Sequence, residues 1–308
     1  MRIAVIAESA PPDVNGVANS VKRMTRHFLR RGHEVMVIAT GPGPNELEGA
    51  PVVRVPGFSF PFYRSLRLAR PGLDLRPMLR EFAPDIAYVA GPAVLGAMGL
   101  RATHELKIPS VAIFQTDVAQ FATAYRARVA APMIWAYLRR VHAYADLTLA
   151  PSRPTAWELQ HHGIERVALW GRGVDAEMFH PSHRSTAMRR MLAPGGELIV
   201  GYVGRLASEK HVERLAVLGG MPGVRIVIVG DGPSRSRLEA QLPEARFLGL
   251  QQGPALGAVM ASLDVFVHTG EHETFGQTIQ EAQASAVPVI APAAGGPLDL
   301  IQSGTTGF

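Results

Sequence analysis

The chain opens with Arg2-Ile3-Ala4-Val5-Ile6-Ala7, an apolar run whose side chains would be buried on both faces of a strand. Parallel strands that are covered by helices on both sides have this composition. Beyond this run, helical patterns separate further apolar runs through the first half of the chain. The predicted strands are 2–7, 34–39, 51–55, 86–90, 110–114, 146–150 and 167–170, and the predicted helices are 17–31, 73–82, 93–106, 126–143 and 152–162. This alternation predicts a doubly wound α/β sheet.

The second half repeats the plan. Its predicted strands are 198–203, 224–229, 245–248, 264–268 and 287–291, and its predicted helices are 209–219, 233–242, 254–262 and 275–285. A polar, proline-containing segment places the boundary near residue 172, which gives domains 1–172 and 173–308. The last residues, Gly304-Thr305-Thr306-Gly307-Phe308, stand where another strand would begin, and no closing helix follows. We therefore expect the second domain to be incomplete at its C-terminus.

Composition narrows the class of protein. The chain has 308 residues and no cysteine, which excludes disulfides, thiolate zinc sites and a cysteine nucleophile. No stretch approaches the ~20 apolar residues of a membrane span, and Glu8 after the first apolar run does not fit a signal peptide. A cytoplasmic protein is predicted. The sequence has no G-x-S-x-G motif, and its eleven histidines show no metal-ligand spacing, so we expect no metal site.

Basic charge is concentrated in the first half. Residues 1–150 carry 18 basic and 11 acidic side chains, against 13 and 15 in residues 151–308. This asymmetry favours attraction to anionic lipid at the inner face of the membrane or to a phosphorylated substrate. Genome bias explains it equally well, because 28 of the 31 basic residues are arginine. No interleaved aromatic and basic motif indicates nucleic-acid binding.

The basic helix predicted at 126–143 has two interpretations. Either it is an outer helix that packs Trp135 and Leu138 inward, or it contacts a membrane surface.

A strand-to-helix turn in the second half carries two cations. The strand ends at Gly204 and a helix is predicted to begin near Ser208, which places Arg205 and Lys210 at the carboxyl edge of the strand. Ligands bind at this edge of open α/β sheets, and two cations suit a diphosphate. The alternative is a solvated pair of charges at the start of a helix.

Other turns have both a ligand-binding and a structural interpretation. Gly16, after the first strand, lets a phosphate approach a helix N-terminus, or forms an ordinary turn. Gly232 admits a flat ligand, or belongs to a tight turn. Gln115 and Asp117, after the strand 110–114, meet a sugar, or the aspartate caps a helix.

The segment Gly270–Glu281 places Glu273 and Glu281 eight positions apart. In a continuous helix their Cα atoms would be about 12 Å apart, roughly the length of a sugar diphosphate. The pair then binds a sugar and a ribose, or it forms an acid/base couple as in a glycoside hydrolase. The cations at positions 205 and 210 favour binding. The N–H groups of Phe275 and Gly276 would lie in the first helical turn and face an anion.

These motifs, in this order, resemble those of the retaining glycosyltransferases of family 4, which have the GT-B fold. The most specific part is the E-x7-E element from Glu273 to Glu281, followed by residues 284–291 and Gly295-Gly296. The second is Gly204-Arg205-Leu206 with Glu209-Lys210. Within the family, the chain most resembles actinobacterial GDP-mannose-dependent α-mannosyltransferases that act on glycolipids. That resemblance is carried by residues 7–9, 14–17, 114–117 and 170–175.

The resemblance implies two Rossmann-like, doubly wound domains that face a cleft, with the acceptor on the first domain's side. It implies a hexosyltransferase that moves mannose from GDP-mannose to a glycolipid or polysaccharide acceptor, without a cofactor or a metal. Arg205 and Lys210 would hold the diphosphate and, with Glu273 at the transferred sugar, form the catalytic group. The implied donor-binding residues are Gly16, Gln115, Asp117, Gly204, Arg205, Lys210, Gly232, Glu273, Phe275, Gly276 and Glu281, the last at the ribose.

Gln115 departs from the family pattern, since many members carry histidine there in an F-H-T motif. Glutamine forms hydrogen bonds but does not act as an acid or base. It is compatible with the front-face attack attributed to the family, in which the leaving phosphate takes the acceptor's proton. Three alternatives stay open: a UDP-sugar-dependent transferase of the same fold, a GT-B nucleotide-sugar epimerase, and an inactive truncated homologue.

Overall fold

The structure is a computed structural model that describes residues 1–13, 15–60, 63–115 and 131–308. The described chain divides into two compact units, Met1–Trp170 and Gly171–Phe308. Each unit is built around one mainly parallel sheet with helices on its faces, which confirms the predicted α/β class. Asp117 lies outside the described residues, as does the first part of the helix predicted at 126–143.

The sheet of the first unit has eight strands. They are β1 (Arg2–Ala7), β2 (Glu34–Thr40), β3 (Glu46–Leu47), β4 (Ala50–Val55), β7 (Ile86–Val89), β8 (Ser110–Ile113), β9 (Leu147–Ala150) and β10 (Val167–Leu169). Their order is β10-β9-β8-β7-β1-β2-β4-β3, and within the described part of this sheet β3 pairs with β4 in antiparallel orientation while the other pairs are parallel. A separate antiparallel hairpin joins β5 (Gly57–Phe60) to β6 (Tyr63–Ala69).

Helices cover both faces of this sheet. The strand β1 is apolar at every position after Arg2, so both of its faces are buried beneath helices. Successive side chains of a strand point to opposite faces. Ile6 accordingly packs in one cluster with Leu100, and Val5 packs in another with Val21. The described helices of this unit are Gly16–Arg30, Arg76–Phe82, Val94–Leu106, Ala131–His142 and Arg153–His161.

The first helix begins where its sequence supplies a cap. Asn15 accepts a hydrogen bond from the N–H of Ala18 at 2.9 Å, and this satisfies one of the free donors of the first turn. In the helix Ala131–His142, Trp135 and Leu138 are buried, as the inward-packing interpretation predicts.

The sheet of the second unit has five parallel strands. They are β11 (Leu198–Val203), β12 (Val224–Val229), β13 (Arg246–Gly249), β14 (Val265–Val267) and β15 (Val289–Ile290), in the order β13-β12-β11-β14-β15. Its α-helices are Thr186–Leu192, Arg235–Gln241, Gly253–Ser262, Gln277–Ala284 and Pro297–Leu300, and its 3₁₀ helices are Pro181–His183, Ser208–Lys210 and Val212–Leu218. The chain leaves β11 first toward β12 and later toward β14, so the topological switch point lies between β11 and β14.

Several elements differ from the prediction, among them β3 and the helix Pro297–Leu300, which were not predicted. The helix expected at 209–219 is two 3₁₀ helices, because His211 between them has a left-handed φ of 50°. The helix expected at 275–285 begins at Gln277, because Gly276 before it has a φ of 95°. The hairpin of β5 and β6 and the helix Thr186–Leu192 were not predicted. Both lie in segments whose polar or proline-containing sequences resemble loops.

Among the described residues, no helix is long and apolar enough to cross a membrane.

Candidate active site

Two loops leave the carboxyl edge of neighbouring strands at the switch point of the second unit. Residues 204–211 follow β11, and residues 268–276 follow β14. In open α/β sheets, the loops on either side of such a point diverge and leave a crevice for a ligand. The three predicted catalytic residues lie in these two loops.

The loop after β11 is held by its neighbour after β12. The N–H of Leu206 donates to the carbonyl of Asp231 at 3.0 Å, and Tyr202 donates from its hydroxyl to the carbonyl of Arg205 at 3.0 Å. A Cβ on Gly232 would lie 2.3 Å from the carbonyl oxygen of Leu206, so only glycine fits there. Burial raises the pKa of Tyr202, which keeps its hydroxyl protonated as a donor. Gly232 therefore has a clear packing role, whichever ligand binds beside it.

The loop after β14 is fixed at both ends. The hydroxyl of Thr269 donates to the carbonyl of Lys210 at 2.5 Å, which joins this loop to the loop after β11. At the other end, the N–H of Gly296 donates to the carbonyl of Glu273 at 2.7 Å. A Cβ on Gly296 would lie 2.4 Å from the Cα of Phe275. The Gly295-Gly296 pair of the predicted motif thus packs directly beneath the turn that carries Glu273.

The structure brings Lys210 and Glu273 together. The ammonium of Lys210 donates to Oε1 of Glu273, and the two side chains are 23% and 19% exposed. Burial is the largest single influence on Glu273 and opposes its ionisation, but Lys210, His268 and Arg172 together lower the pKa of the carboxyl. Arg205 lies in the same loop as Lys210 and pairs with Glu209 at 3.2 Å. Two ion pairs, Lys210 with Glu273 and Arg205 with Glu209, therefore lie in the loops at the switch point.

His268 completes this cluster, although the sequence did not single it out. Its Nε2 lies 3.5 Å from Oε1 of Glu273, the same oxygen that Lys210 contacts. The imidazole is buried, and burial lowers its pKa. A histidine at the carboxyl end of a strand was the available signal. The sequence pattern predicts a strand over residues 264–268, and a side chain within a buried strand does not by itself indicate a site.

Phe275 and Gly276 occupy a different position from the predicted one. Both precede the helix Gln277–Ala284, so their N–H groups are not in its first turn. The ring of Phe275 is buried, and the guanidinium of Arg172 lies 5.7 Å from its centroid. The segment that precedes β11 in the chain is therefore held against this turn. Glu281 lies within the helix and is buried.

Gly16 and Gln115, the two predicted residues of the first unit that the structure describes, lie at the same edge of its sheet. Gly16 is the first residue of the helix Gly16–Arg30, and a Cβ added to it would meet no atom within 4 Å. Gln115 follows β8, is buried, and donates from Nε2 to the carbonyl of Ala90 at 2.8 Å. Asp117 is outside the described residues.

Among the described residues, no group of three or more histidine, aspartate or glutamate side chains has a metal-binding arrangement. The cluster at the switch point instead offers cations to an anion and a carboxylate to hydroxyl groups. Such a set stabilises negative charge that develops on a leaving group.

Comparison with known proteins gives two family matches. Glycosyltransferase Family 4 matches residues 14–178, and Glycosyl transferases group 1 matches residues 184–308. A GDP-mannose-dependent alpha-mannosyltransferase of Mycolicibacterium smegmatis is 52% identical over 314 residues, which cover 100% of this chain and 84% of that protein. The enzyme of the same name in Corynebacterium glutamicum is 48% identical, over 100% of this chain and 76% of that protein.

A solved structure shares the fold. Anabaena HepE in complex with UDP has a TM-score of 0.79 with this chain at 20% sequence identity, over 100% of this chain and 85% of that chain.

Proposed function

The chain belongs to glycosyltransferase family 4 and has the GT-B fold, and we propose that it moves mannose from GDP-mannose to a glycolipid or polysaccharide acceptor with retention of configuration. The donor is proposed from relatives about half identical over the whole chain, whose names state GDP-mannose. The observation that carries the proposal is the contact between Lys210 and Glu273 at the switch point of the second unit. We propose that the ammonium binds the phosphate of the donor and that the carboxylate beside it binds the sugar.

Arg205 and Lys210 hold the diphosphate in this proposal. Arginine binds two phosphate oxygens at once, and lysine supplies a compact point charge. Both loops are fixed by hydrogen bonds, so the cations need little reorganisation when charge develops on the leaving group.

The remaining donor-binding roles follow the family pattern. Glu273 contacts hydroxyls of the transferred sugar, and Glu281 binds the ribose hydroxyls. The backbones of Gly204, Gly232, Phe275 and Gly276 line the donor, and Gly16, Gln115 and Asp117 contribute from the first unit.

The proposed reaction needs no protein base. The acceptor hydroxyl oxygen bonds to the anomeric carbon on the face from which the diphosphate leaves. The bond from that carbon to the diphosphate oxygen breaks, and its electron pair stays on the diphosphate. The acceptor's proton passes to the departing diphosphate oxygen. Gln115 is consistent with this route, because an amide orients a hydroxyl without exchanging a proton.

We also propose that the basic first half brings the enzyme to anionic membrane, where a lipid-linked acceptor resides. The charge asymmetry between residues 1–150 and 151–308 supports this.

A donor screen tests the proposed function. The protein is incubated with GDP-mannose, GDP-glucose, UDP-glucose or UDP-galactose and a total lipid extract, and the products are identified by mass spectrometry. We expect a hexose to be added to lipid from GDP-mannose, at the same rate with and without EDTA.

Different outcomes of the screen separate the alternatives. Turnover of UDP-sugars alone would reject the donor, and isomerised nucleotide sugar formed without acceptor would indicate an epimerase. A loss of rate in EDTA that Mg²⁺ restores would contradict the metal-free route.

A further inference from the structure

His268 lies beside the pair formed by Lys210 and Glu273, and it has no role in the reaction proposed above. We propose that His268 takes up a proton when the donor diphosphate binds, and that the resulting imidazolium replaces Lys210 as the partner of Glu273. The inference rests on the proposed function, because it requires Lys210 to turn toward a diphosphate.

The geometry places the side chains of Lys210 and His268 on one oxygen. Oε1 of Glu273 receives the ammonium of Lys210 and also faces Nε2 of His268 at 3.5 Å. The histidine cannot move far from this oxygen, because its own N–H donates to the carbonyl of Ile290 at 2.8 Å within the β14–β15 pairing. His268 is therefore a fixed neighbour of Glu273, whereas Lys210 reaches it from the end of a flexible side chain.

The surroundings of His268 leave its ring available for a new contact. The residue is only 5% exposed, no side chain of the described residues forms a hydrogen bond to its ring, and the backbone of Gly270 favours the charged form of the ring. A buried polar atom without a partner costs about 1–3 kcal/mol. Protonation at Nε2 would satisfy this atom and place a positive charge against the carboxylate.

Few charged or titratable groups face the imidazole. Glu273 in its own loop favours the charged ring, and Lys210 from the loop after β11 opposes it. The carboxylate of Glu273 also interacts electrostatically with Tyr202 of β11 and with Arg172. The pKa of His268 therefore depends on whether the ammonium of Lys210 stays close to the imidazole or moves away from it.

Donor binding changes this balance in one direction. In this structure, burial and Lys210 lower the pKa of His268, so the ring is neutral near pH 7. A diphosphate attracts Lys210 and adds negative charge to the site, so the opposing charge weakens while that of Glu273 remains. The pKa of His268 then rises, and the ring binds a proton from solvent. Glu273 keeps a counter-charge while its other oxygen accepts from the sugar.

Isothermal titration calorimetry measures this proton. GDP is titrated into the protein at pH 7.5 in buffers of different ionisation enthalpy, and the slope of heat against that enthalpy counts the protons bound. We expect an uptake approaching one proton in the wild-type protein and none in His268→Gln. The difference between the two proteins removes the contribution of GDP itself. His27→Gln, at an exposed histidine of the first helix, is the control and should retain the wild-type count.

The outcomes distinguish this inference from the proposed function. Absence of GDP binding by the wild-type protein would contradict the proposed donor. GDP binding with equal proton counts in wild type and His268→Gln would overturn the role of His268. If His268→Gln is unfolded by circular dichroism, His268→Asn is used with the same criteria, and a wild-type count of zero overturns the proposal without either variant.

A steady-state measurement gives a second criterion. Because donor binding takes up a proton at His268, we expect the KM of the wild-type protein for GDP-mannose to fall as pH falls from 8 to 6. We expect this pH dependence of the KM to be lost in His268→Gln. An unchanged pH dependence would contradict the proposal.

Discussion

At the scale of single residues, the decisive feature is that the ammonium of Lys210 pairs with a carboxylate of the protein itself, that of Glu273. The sequence placed this lysine near a helix N-terminus, where a positive charge is unfavourable unless an anion is bound. In the structure it lies at the end of the 3₁₀ helix Ser208–Lys210 and pairs with Glu273. In the proposed reaction, the diphosphate draws Lys210 away from Glu273, and the carboxylate is then available to the sugar.

Removing the lysine should slow the chemical step. Lys210→Ala takes away a charge that stabilises the leaving diphosphate, and we expect kcat to fall by about 10²–10³-fold. Steady-state kinetics with GDP-mannose and a lipid acceptor measure the change. Lys22→Ala is the matched control, because Lys22 also pairs with a glutamate, Glu48 at 3.6 Å, but on the first helix. A kcat for Lys210→Ala within twofold of wild type would remove Lys210 from the diphosphate site.

At the scale of elements, glycines let backbone segments pack directly against each other around the site. Gly232 lies against the carbonyl of Leu206, and Gly296 lies against Phe275. Both contacts join loops that follow different strands. The loops that carry the site residues can approach this closely only because glycine, and no larger residue, stands at positions 232 and 296.

A methyl group at position 296 should disturb the turn that carries Glu273. In Gly296→Ala the new Cβ would lie 2.4 Å from the Cα of Phe275, and backbone cannot yield as a flexible side chain does. We expect a loss of about 1–3 kcal/mol in the free energy of unfolding, measured by urea denaturation, together with weaker GDP binding.

Gly171→Ala is the control for this substitution, since a Cβ there meets nothing within 4 Å. Equal stability of the two variants would show that the turn accommodates the methyl group.

At the scale of the whole molecule, the chain divides into two units of similar architecture and different charge. The excess of basic side chains falls within residues 1–150, which belong to the first unit. A surface with such an excess is attracted to anionic lipid by roughly 1 kcal/mol for each basic residue near the membrane. The attraction is screened by salt, since the Debye length falls from about 10 Å at 0.1 M to about 3 Å at 1 M.

Vesicle co-sedimentation tests this attraction. We expect the protein to bind phosphatidylglycerol vesicles at 0.05 M NaCl, to release them at 1 M, and to ignore phosphatidylcholine vesicles. Arg140→Glu, at an exposed position of the helix Ala131–His142, should weaken binding several-fold. Arg190→Glu changes charge equally in the second unit, where it should have little effect. Identical binding to both lipids would contradict the proposed membrane contact.

Much of the fold was predictable, because buried parallel strands and amphipathic helices carry local patterns. The runs at 2–7 and 224–229 coincide with β1 and β12, since every side chain after Arg2 in β1 and after Arg225 in β12 is apolar. The break at Gly276 was not predictable, because the local pattern continues while the backbone turns to a φ of 95°. Only the packing of that turn against Gly295-Gly296 requires this conformation.

The sequence by itself determined the α/β class, the two-part plan and the motifs that carry the family resemblance, because these depend on residue type and short-range spacing. The tertiary structure alone decided which charges meet. Lys210 and Glu273 are 63 positions apart, and they touch because β11 and β14 are neighbours at a switch point. The contact between His268 and Glu273 likewise appears only in the tertiary structure. Its chemistry depends on burial and on two charges from separate loops, which no local pattern encodes.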